Sequence, residues 1–132
     1  MQPGEVRIVV EGAGAHADAV RTLDKWLAGE RDQGLGDRPR RIVPREDGEP
    51  VQGLLADIVL NLGTDGVVAL VGVLVRSLHS HLRNQPDPGR SVTVRLPNGS
   101  RFTVPRGEMT QGEFEALTLR IVRALNQDDQ PG

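Results

Sequence analysis

Residues 54–82 read LLADIVLNLGTDGVVALVGVLVRSLHSHL, which is the most concentrated apolar stretch of the chain. Its Leu, Ile and Val residues recur at helical spacing on either side of a polar, glycine-containing break. We therefore predict two consecutive helices, Gly53–Leu62 and Val67–Arg83, with Thr64 or Asp65 available to cap the second.

The second of these helices is apolar on every side over its first half, Val67–Val75. Such a helix must be covered on every side, and the sheet of a small domain can cover only one. Either a neighbouring helix of the same chain, brought close by small residues such as Gly72, or another protein must cover the rest. We therefore predict a partner or oligomer interface on this helix. Its residues are Val67, Val68, Val71, Val75 and Leu78.

Outward from this stretch, the chain alternates between strand and helix patterns. Alternating apolar residues predict a strand at Val6–Val10, and helical spacing predicts a helix at Ala15–Ala28. A short strand at Arg40–Pro44 lies between two polar loops. A capping box that begins at Thr110 starts a last helix, which ends at Leu125.

Residues 91–104 predict a β-hairpin whose register follows from its turn. With Pro97 and Asn98 at the centre of a type I turn and Gly99 in the left-handed region, the loop has three residues. The resulting pairs put all apolar side chains of the hairpin on one face, and the other face is polar. Helices should therefore cover one side of the sheet only. The predicted pairs are Leu96 with Ser100, Val94 with Phe102, and Val92 with Val104.

The predicted fold is a small two-layer α+β domain. Its element order is β-α-β-α-α-β-β-α, and its sheet is mostly antiparallel with helices on one face. A chain of 132 residues fits one domain. We place that domain at residues 1–125 and a polar, flexible C-terminal tail at residues 126–132.

Composition narrows the classes of function. The chain has no Cys, which excludes disulfides and thiolate metal sites. Its 16 basic and 18 acidic residues give a net charge of −2, which does not indicate a nucleic-acid partner. The first residues lack the basic and apolar regions of a signal peptide, and the longest apolar run, residues 66–75, is about half of a membrane span. We expect a cytoplasmic protein without a membrane span.

No residue pattern indicates catalysis, a cofactor or a metal. The chain has neither a Gly-x-Ser-x-Gly elbow nor a carboxylate pair beside a His, so we predict that it is not an enzyme. His79 and His81 are two residues apart on a predicted helix, where they point away from each other, and we interpret both as solvated. Asp57 and Asn61 share one face of the predicted helix Gly53–Leu62. They could anchor a partner, but we interpret them as a solvated polar stripe.

One motif supports an alternative. Gly12-x-Gly14-x-x-Ala17 follows a predicted strand and opens a predicted helix, which is the form of a dinucleotide fingerprint. The second predicted strand does not end in the acidic residue that such sites need, and no series of strand–helix units follows. A tight strand-to-helix turn explains the glycines as well. A small-ligand or nucleotide-responsive regulatory domain that uses Gly12 and Gly14 stays the second hypothesis.

Several short segments, spread over most of the chain, form a pattern that occurs together in one protein family. They are Val6–Val10, Leu23–Leu27, Gly53–Val59, Leu62–Gly66, Leu78–Leu82, Ser91–Val94 and Pro97–Ser100. Together they resemble the effector-associated constant component family, small proteins encoded mainly in actinobacteria. The basic residues that are usual after the second long helix are reduced here to Arg83 and Arg90.

The resemblance implies a non-catalytic adaptor in a bacterial conflict system. Such proteins accompany variable effectors, such as protease-like domains and NTPases, and would couple a sensor or regulator to the effector. The resemblance defines no catalytic residue. The expected partner is a protein effector or an NTPase companion, and self-association through the Val67–Val75 face is a further expectation.

Overall fold

The computed structural model describes residues 4–12, 16–44, 56–63, 67–85 and 89–127. Within these ranges the chain forms five strands, three α-helices and one 3-10 segment. Their bounds are β1 Glu5–Glu11, α1 His16–Ala28, the 3-10 segment Asp32–Asp37, β2 Arg40–Pro44, β3 Ala56–Asn61, α2 Val67–Arg83, β4 Ser91–Arg95, β5 Arg101–Val104 and α3 Gln111–Gln127.

The five strands form one antiparallel sheet in the order β2-β3-β1-β4-β5. The first strand of the chain is therefore the central strand of the sheet. Ile8 and Val10 are buried on one face of β1, and Val9 is buried on the other. A strand that carries apolar side chains on both faces is typical of the middle of a sheet.

All three helices pack on the same face of the sheet. One core cluster joins apolar strand residues, such as Ile8, Ile58 and Val94, to buried side chains of α1, α2 and α3. Val9 and Val59 point the other way and lie outside this cluster, although both are buried. The predicted α+β class, with helices on one face of an antiparallel sheet, is confirmed.

The predicted helix Gly53–Leu62 is wrong, because residues Ala56–Asn61 form strand β3, so the first of the two successive helices in the predicted element order is a strand. Ile58 faces the core and Val59 faces the opposite side, and both are buried. A strand that is buried on both faces has a continuous apolar run, which periodicity alone cannot distinguish from a buried helix. The four-residue spacing of Asp57 and Asn61, which suggested a helical stripe, also places them on one face of a strand.

The hairpin of β4 and β5 has the predicted register. Gly99 has a φ of +91°, and its amide donates a hydrogen bond to the Leu96 carbonyl at 2.9 Å, as a type I turn followed by a left-handed residue requires. The Leu96 amide donates to the Ser100 carbonyl, also at 2.9 Å. The turn residues, together with the alternation of apolar and polar side chains, were therefore sufficient to predict the register. The confirmed pairs are Val92 with Val104, Val94 with Phe102, and Leu96 with Ser100.

The helix bounds follow local signals in the sequence. α2 has the predicted bounds, and α3 begins behind the predicted capping box. In that box the Glu113 amide donates to Thr110 Oγ1 at 3.1 Å, and the Thr110 amide donates to Glu113 Oε1 at 3.2 Å. α3 ends at Gln127 and so extends two residues into the predicted tail. Residues 53–55, 64–66 (with the predicted cap of α2) and 128–132 lie outside the described ranges.

Candidate interaction surface

Helix α2 is covered on most sides by the chain itself. Val71, Val75 and Leu78 have no exposed surface and belong to the core between the helices and the sheet. Val67 is partly buried against that core, whereas Val68 is 54% exposed. Helix α3 and the 3-10 segment contact the sides of α2 that the sheet does not reach. The accessible part of the predicted interface is thus the start of α2, and the interface itself stays a prediction.

An open groove runs between α2 and α3 at this accessible end of α2, with a volume of about 470 Å³. Val68 on α2 and Leu119 on α3, which is 48% exposed, are two of the three exposed large apolar side chains in the described part of the chain. We call this feature the α2–α3 groove. Its lining residues are Asp32, Gln33, Val68, Ala69, Gly72, Val73, Arg76, Gln111, Phe114, Glu115, Thr118 and Leu119.

Gly72 of α2 faces Thr118 of α3 at the groove. A Cβ atom at Gly72 would lie 3.8 Å from the Thr118 methyl, an ordinary van der Waals contact, so the packing of the two helices leaves room for an alanine here. The Thr118 hydroxyl donates to the Phe114 carbonyl of its own helix at 2.8 Å. Because that hydroxyl is already hydrogen-bonded, an occupant of the groove would meet mainly apolar surface here.

The rim of the groove carries charges of both signs. Asp32 and Glu115 supply carboxylates, and the Arg76 guanidinium lies 5.8 Å from the centre of the Phe114 ring. Gln33 also lines the groove, and its φ of +56° is the only positive φ of a non-glycine residue in the described ranges. Strained backbone conformations concentrate at ligand clamps and binding sites, so this residue adds to the case for the groove.

The two histidines of α2 are buried, so their interpretation as solvated residues is wrong. The His79 ring donates from Nε2 to the Gly107 carbonyl at 2.6 Å, and its centre lies 5.1 Å from that of Phe114. The centre of the His81 ring lies 5.3 Å from that of Trp26. The two-residue spacing does point the rings apart, toward α3 and α1. Their burial depends on aromatic partners that are distant in the sequence, which periodicity does not reveal.

Asp57 is not solvated either, and this interpretation is also wrong. Its side chain is almost completely buried on the helix-free face of the sheet, with Oδ2 at 3.1 Å from Arg7 Nε. Asn61 is partly buried at the end of β3, where its Oδ1 accepts a hydrogen bond from the Gly63 amide at 2.7 Å. Asp57 therefore links β3 to β1, whereas Asn61 closes a local turn after β3.

His81 should make the stability of the fold depend on pH. Burial, and after it the charge of Arg90, lowers the pKa of His81 below the ordinary value of 6.5. The unfolded chain then takes up a proton before the folded chain does. The free energy of unfolding should therefore be fully retained above about pH 6.5 and fall as the pH drops from there toward the lower pKa of the folded state.

The variant His81→Phe keeps an aromatic ring beside Trp26 and removes the titrating group. Urea unfolding followed by circular dichroism, repeated between about pH 7.5 and pH 5, should show a flatter dependence for the variant. The exposed neighbour Ser80 provides the control, since Ser80→Ala should leave the dependence as it is. An equal slope in His81→Phe and the unaltered chain would contradict the role of this histidine.

The structure describes one of the two glycines of the predicted ligand turn. Gly12 has a φ of +127°, and a Cβ atom there would lie 2.6 Å from both the Arg90 Cα atom and the Gly89 carbonyl oxygen. The backbone of the chain itself thus approaches too closely for any residue but glycine, which gives Gly12 a structural reason. Gly14 lies outside the described ranges, and the ligand hypothesis stays a prediction.

Fold and groove together define a small α+β domain with an exposed, partly apolar groove between two helices. Among the described residues, no three His, Cys, Asp or Glu side chains are grouped so that they could hold a metal ion. Every helix in these ranges is too short or too polar to cross a membrane.

Comparison with protein families identifies the domain more closely. The family model described as Effector Associated Constant Component 1 matches residues 11–126, and the chain belongs to this family. The resemblance that the short sequence segments carry is thereby confirmed. No curated protein and no solved structure matches the chain.

Proposed function

We propose that this chain is a non-catalytic adaptor that couples an effector to its regulator in a bacterial conflict or defence system. The description of its family makes it an effector-associated component. The observation that carries the adaptor proposal is the exposed α2–α3 groove. The non-catalytic part rests on the sequence, which has no nucleophile elbow and no carboxylate pair beside a His. The effector would be protease-like or associated with an NTPase, and the adaptor would act in the cytoplasm.

The groove has the properties of a site for an amphipathic helix. Its walls are two helices of 17 residues each, with Val68 and Leu119 presenting apolar surface. Helical segments bind such grooves through apolar side chains spaced by three or four residues. The charges of Arg76 and Glu115 at the rim would fix the direction of the bound helix. The occupant that we propose is therefore an amphipathic helix of the effector protein.

The apolar surface of the two exposed side chains determines how much the groove should contribute to the affinity for a partner. Val68 and Leu119 are each about half exposed. Covering both with apolar surface of a partner would contribute about 2 kcal/mol to binding. This free energy corresponds to a factor of roughly 30 in affinity.

The double variant Val68→Glu/Leu119→Glu should lose its companion. We would purify the tagged chain from its native host and quantify co-purifying proteins by mass spectrometry. The unaltered chain should bring down a protease-like or NTPase companion in stoichiometric amount. The double variant should bind that companion at least about 30-fold more weakly, because two carboxylates would have to be desolvated in addition to the lost apolar contact.

Ile42 provides the matched control. It is the third exposed large apolar residue, it is also 48% exposed, and it lies on β2 outside the groove. Ile42→Glu should retain the companion, and all variants should keep their circular dichroism spectrum. The proposal fails if the unaltered chain comes down alone, or if the groove variant retains the companion. The pure chain could also form a dimer that only the groove variant dissociates. This result would show that the groove binds a second copy of the chain, and it would contradict binding of an effector helix.

A further inference from the structure

The face of the sheet that carries no helices has a row of arginines across it. One residue from each strand stands at the same level of this face, and four of the five are arginines. We call these four the arginine row. In sheet order the five residues are Arg41 of β2, Val59 of β3, Arg7 of β1, Arg95 of β4 and Arg101 of β5.

Such a row opposes folding, because like charges directly opposite each other in antiparallel strands repel. Arg95 stands opposite both Arg7 and Arg101. Two carboxylates offset part of the charge, since Asp57 and Glu5 pair with the other members of the row at 3.1 and 2.9 Å. In the described ranges, Arg95 and Arg101 form no ion pair. The β4–β5 end of the row therefore keeps its positive charge.

The row is accessible from solvent at both ends. Arg101 is exposed, Arg95 is half-buried, and the side chain of Arg41 is 59% exposed. A cleft of about 680 Å³ lies along the row, lined by Arg7, Arg41 and Arg95 together with apolar surface of Val59. A ligand in this cleft would meet guanidinium groups and an apolar surface at the same time.

We propose that the arginine row binds an acidic, extended segment of a partner protein. The row crosses four gaps between strands of about 4.8 Å each, so it is roughly 19 Å long. A single carboxylate or phosphate would occupy a small part of that length, whereas an extended peptide of about six residues matches it. The planar guanidinium fork of arginine binds carboxylates through two parallel hydrogen bonds, and the positive end of the row attracts an acidic chain.

An acidic peptide fits the row better than a nucleic acid does. Single-stranded nucleic acids bind through aromatic side chains on which the bases stack, next to basic residues. The helix-free face has no such residue in the described ranges, because Trp26 and Phe114 belong to helices and Phe102 pairs with Val94 on the core face.

A second binding surface goes beyond the proposed function. The row and the α2–α3 groove lie on opposite sides of the sheet, so the chain has two separate surfaces, as a protein that links two others requires. Variants of the row leave the groove intact. Failure of one proposal can therefore be distinguished from failure of the other.

The double variant Arg95→Gln/Arg101→Gln should bind an acidic peptide at least about ten times more weakly than the unaltered chain. The probe is a fluorescein-labelled hexaglutamate peptide, titrated by fluorescence anisotropy at low and at physiological salt. The unaltered chain should bind it, more weakly as salt rises, and should not bind a hexaglutamine peptide. Because the variant removes like-charge repulsion, its Tm should be unchanged or raised, which separates loss of binding from loss of folding.

The matched control is Arg21→Gln/Arg123→Gln, which changes the net charge equally but removes exposed arginines of α1 and α3. This control should bind the peptide like the unaltered chain. If both double variants weakened peptide binding equally, net charge alone would explain the effect, and the proposal would be overturned. Absence of binding by the unaltered chain at millimolar protein would also overturn it. If a single-stranded hexanucleotide bound more tightly than the peptide, and through Arg95 and Arg101, the ligand of the row would be a nucleic acid and not an acidic peptide.

Discussion

Val71→Glu should destabilise the chain severely. Val71 has no exposed surface and belongs to the core between α2 and the sheet. A carboxylate at this position must lose its hydration or force the helix away from the sheet, which costs about 4 kcal/mol or more. Small domains have only about 5–15 kcal/mol of stability in total. Circular dichroism during heating should therefore show a strongly lowered Tm.

Val68→Glu is the matched control for this prediction. It makes the same substitution three residues earlier in the same helix, where the side chain is exposed. Its Tm should stay within a few degrees of that of the unaltered chain. An unchanged Tm and an unchanged mass in solution for Val71→Glu would contradict the packing of α2. Equal destabilisation of both variants would show that burial of the side chain does not govern the effect.

Asp57→Ala should destabilise the fold nearly as strongly. The Asp57 side chain is almost completely buried, and its Oδ2 lies 3.1 Å from Arg7 Nε. Removing the carboxylate leaves the Arg7 guanidinium buried without this counter-ion, which costs about 3–5 kcal/mol. Urea unfolding at neutral pH measures the loss as a lower free energy of unfolding with an unchanged m-value.

A second ion pair of the chain supplies the control. Asp24 pairs with Arg40 at 2.6 Å, but both side chains are partly exposed. Asp24→Ala should therefore cost no more than about 1 kcal/mol. The double variant Arg7→Met/Asp57→Leu replaces both buried charges by apolar side chains and should recover most of the lost stability. Equal losses for Asp57→Ala and Asp24→Ala would show that burial does not govern these two pairs.

The elements that could be predicted are those whose signals are local. The hairpin register depended on the turn residues Pro97, Asn98 and Gly99 and on the alternation of apolar side chains in the two strands. The start of α3 depended on the capping box of Thr110 and Glu113, three residues apart. In both cases the deciding residues lie within a short, continuous segment, so the sequence order already places them together.

Strand β3 could not be predicted from local signals. Its apolar run is compatible with a buried helix and with a strand buried on both faces. The choice was made by pairing with β1 and β2, which lie about 50 and 15 residues earlier in the chain. The same holds for His79 and His81, whose burial depends on Phe114 and Trp26 in other helices.

Sequence by itself determined the α+β class, the bounds of α2, the hairpin register and the family of this protein. Only the tertiary structure decided which apolar residues of α2 remain exposed, since that depends on where α3 lies. It alone also decided that four arginines from four strands stand in one row. Charges that are far apart in the chain become neighbours only when strand order and register are set. Both proposed binding surfaces arise in this way, from side chains that non-local pairing and packing bring together.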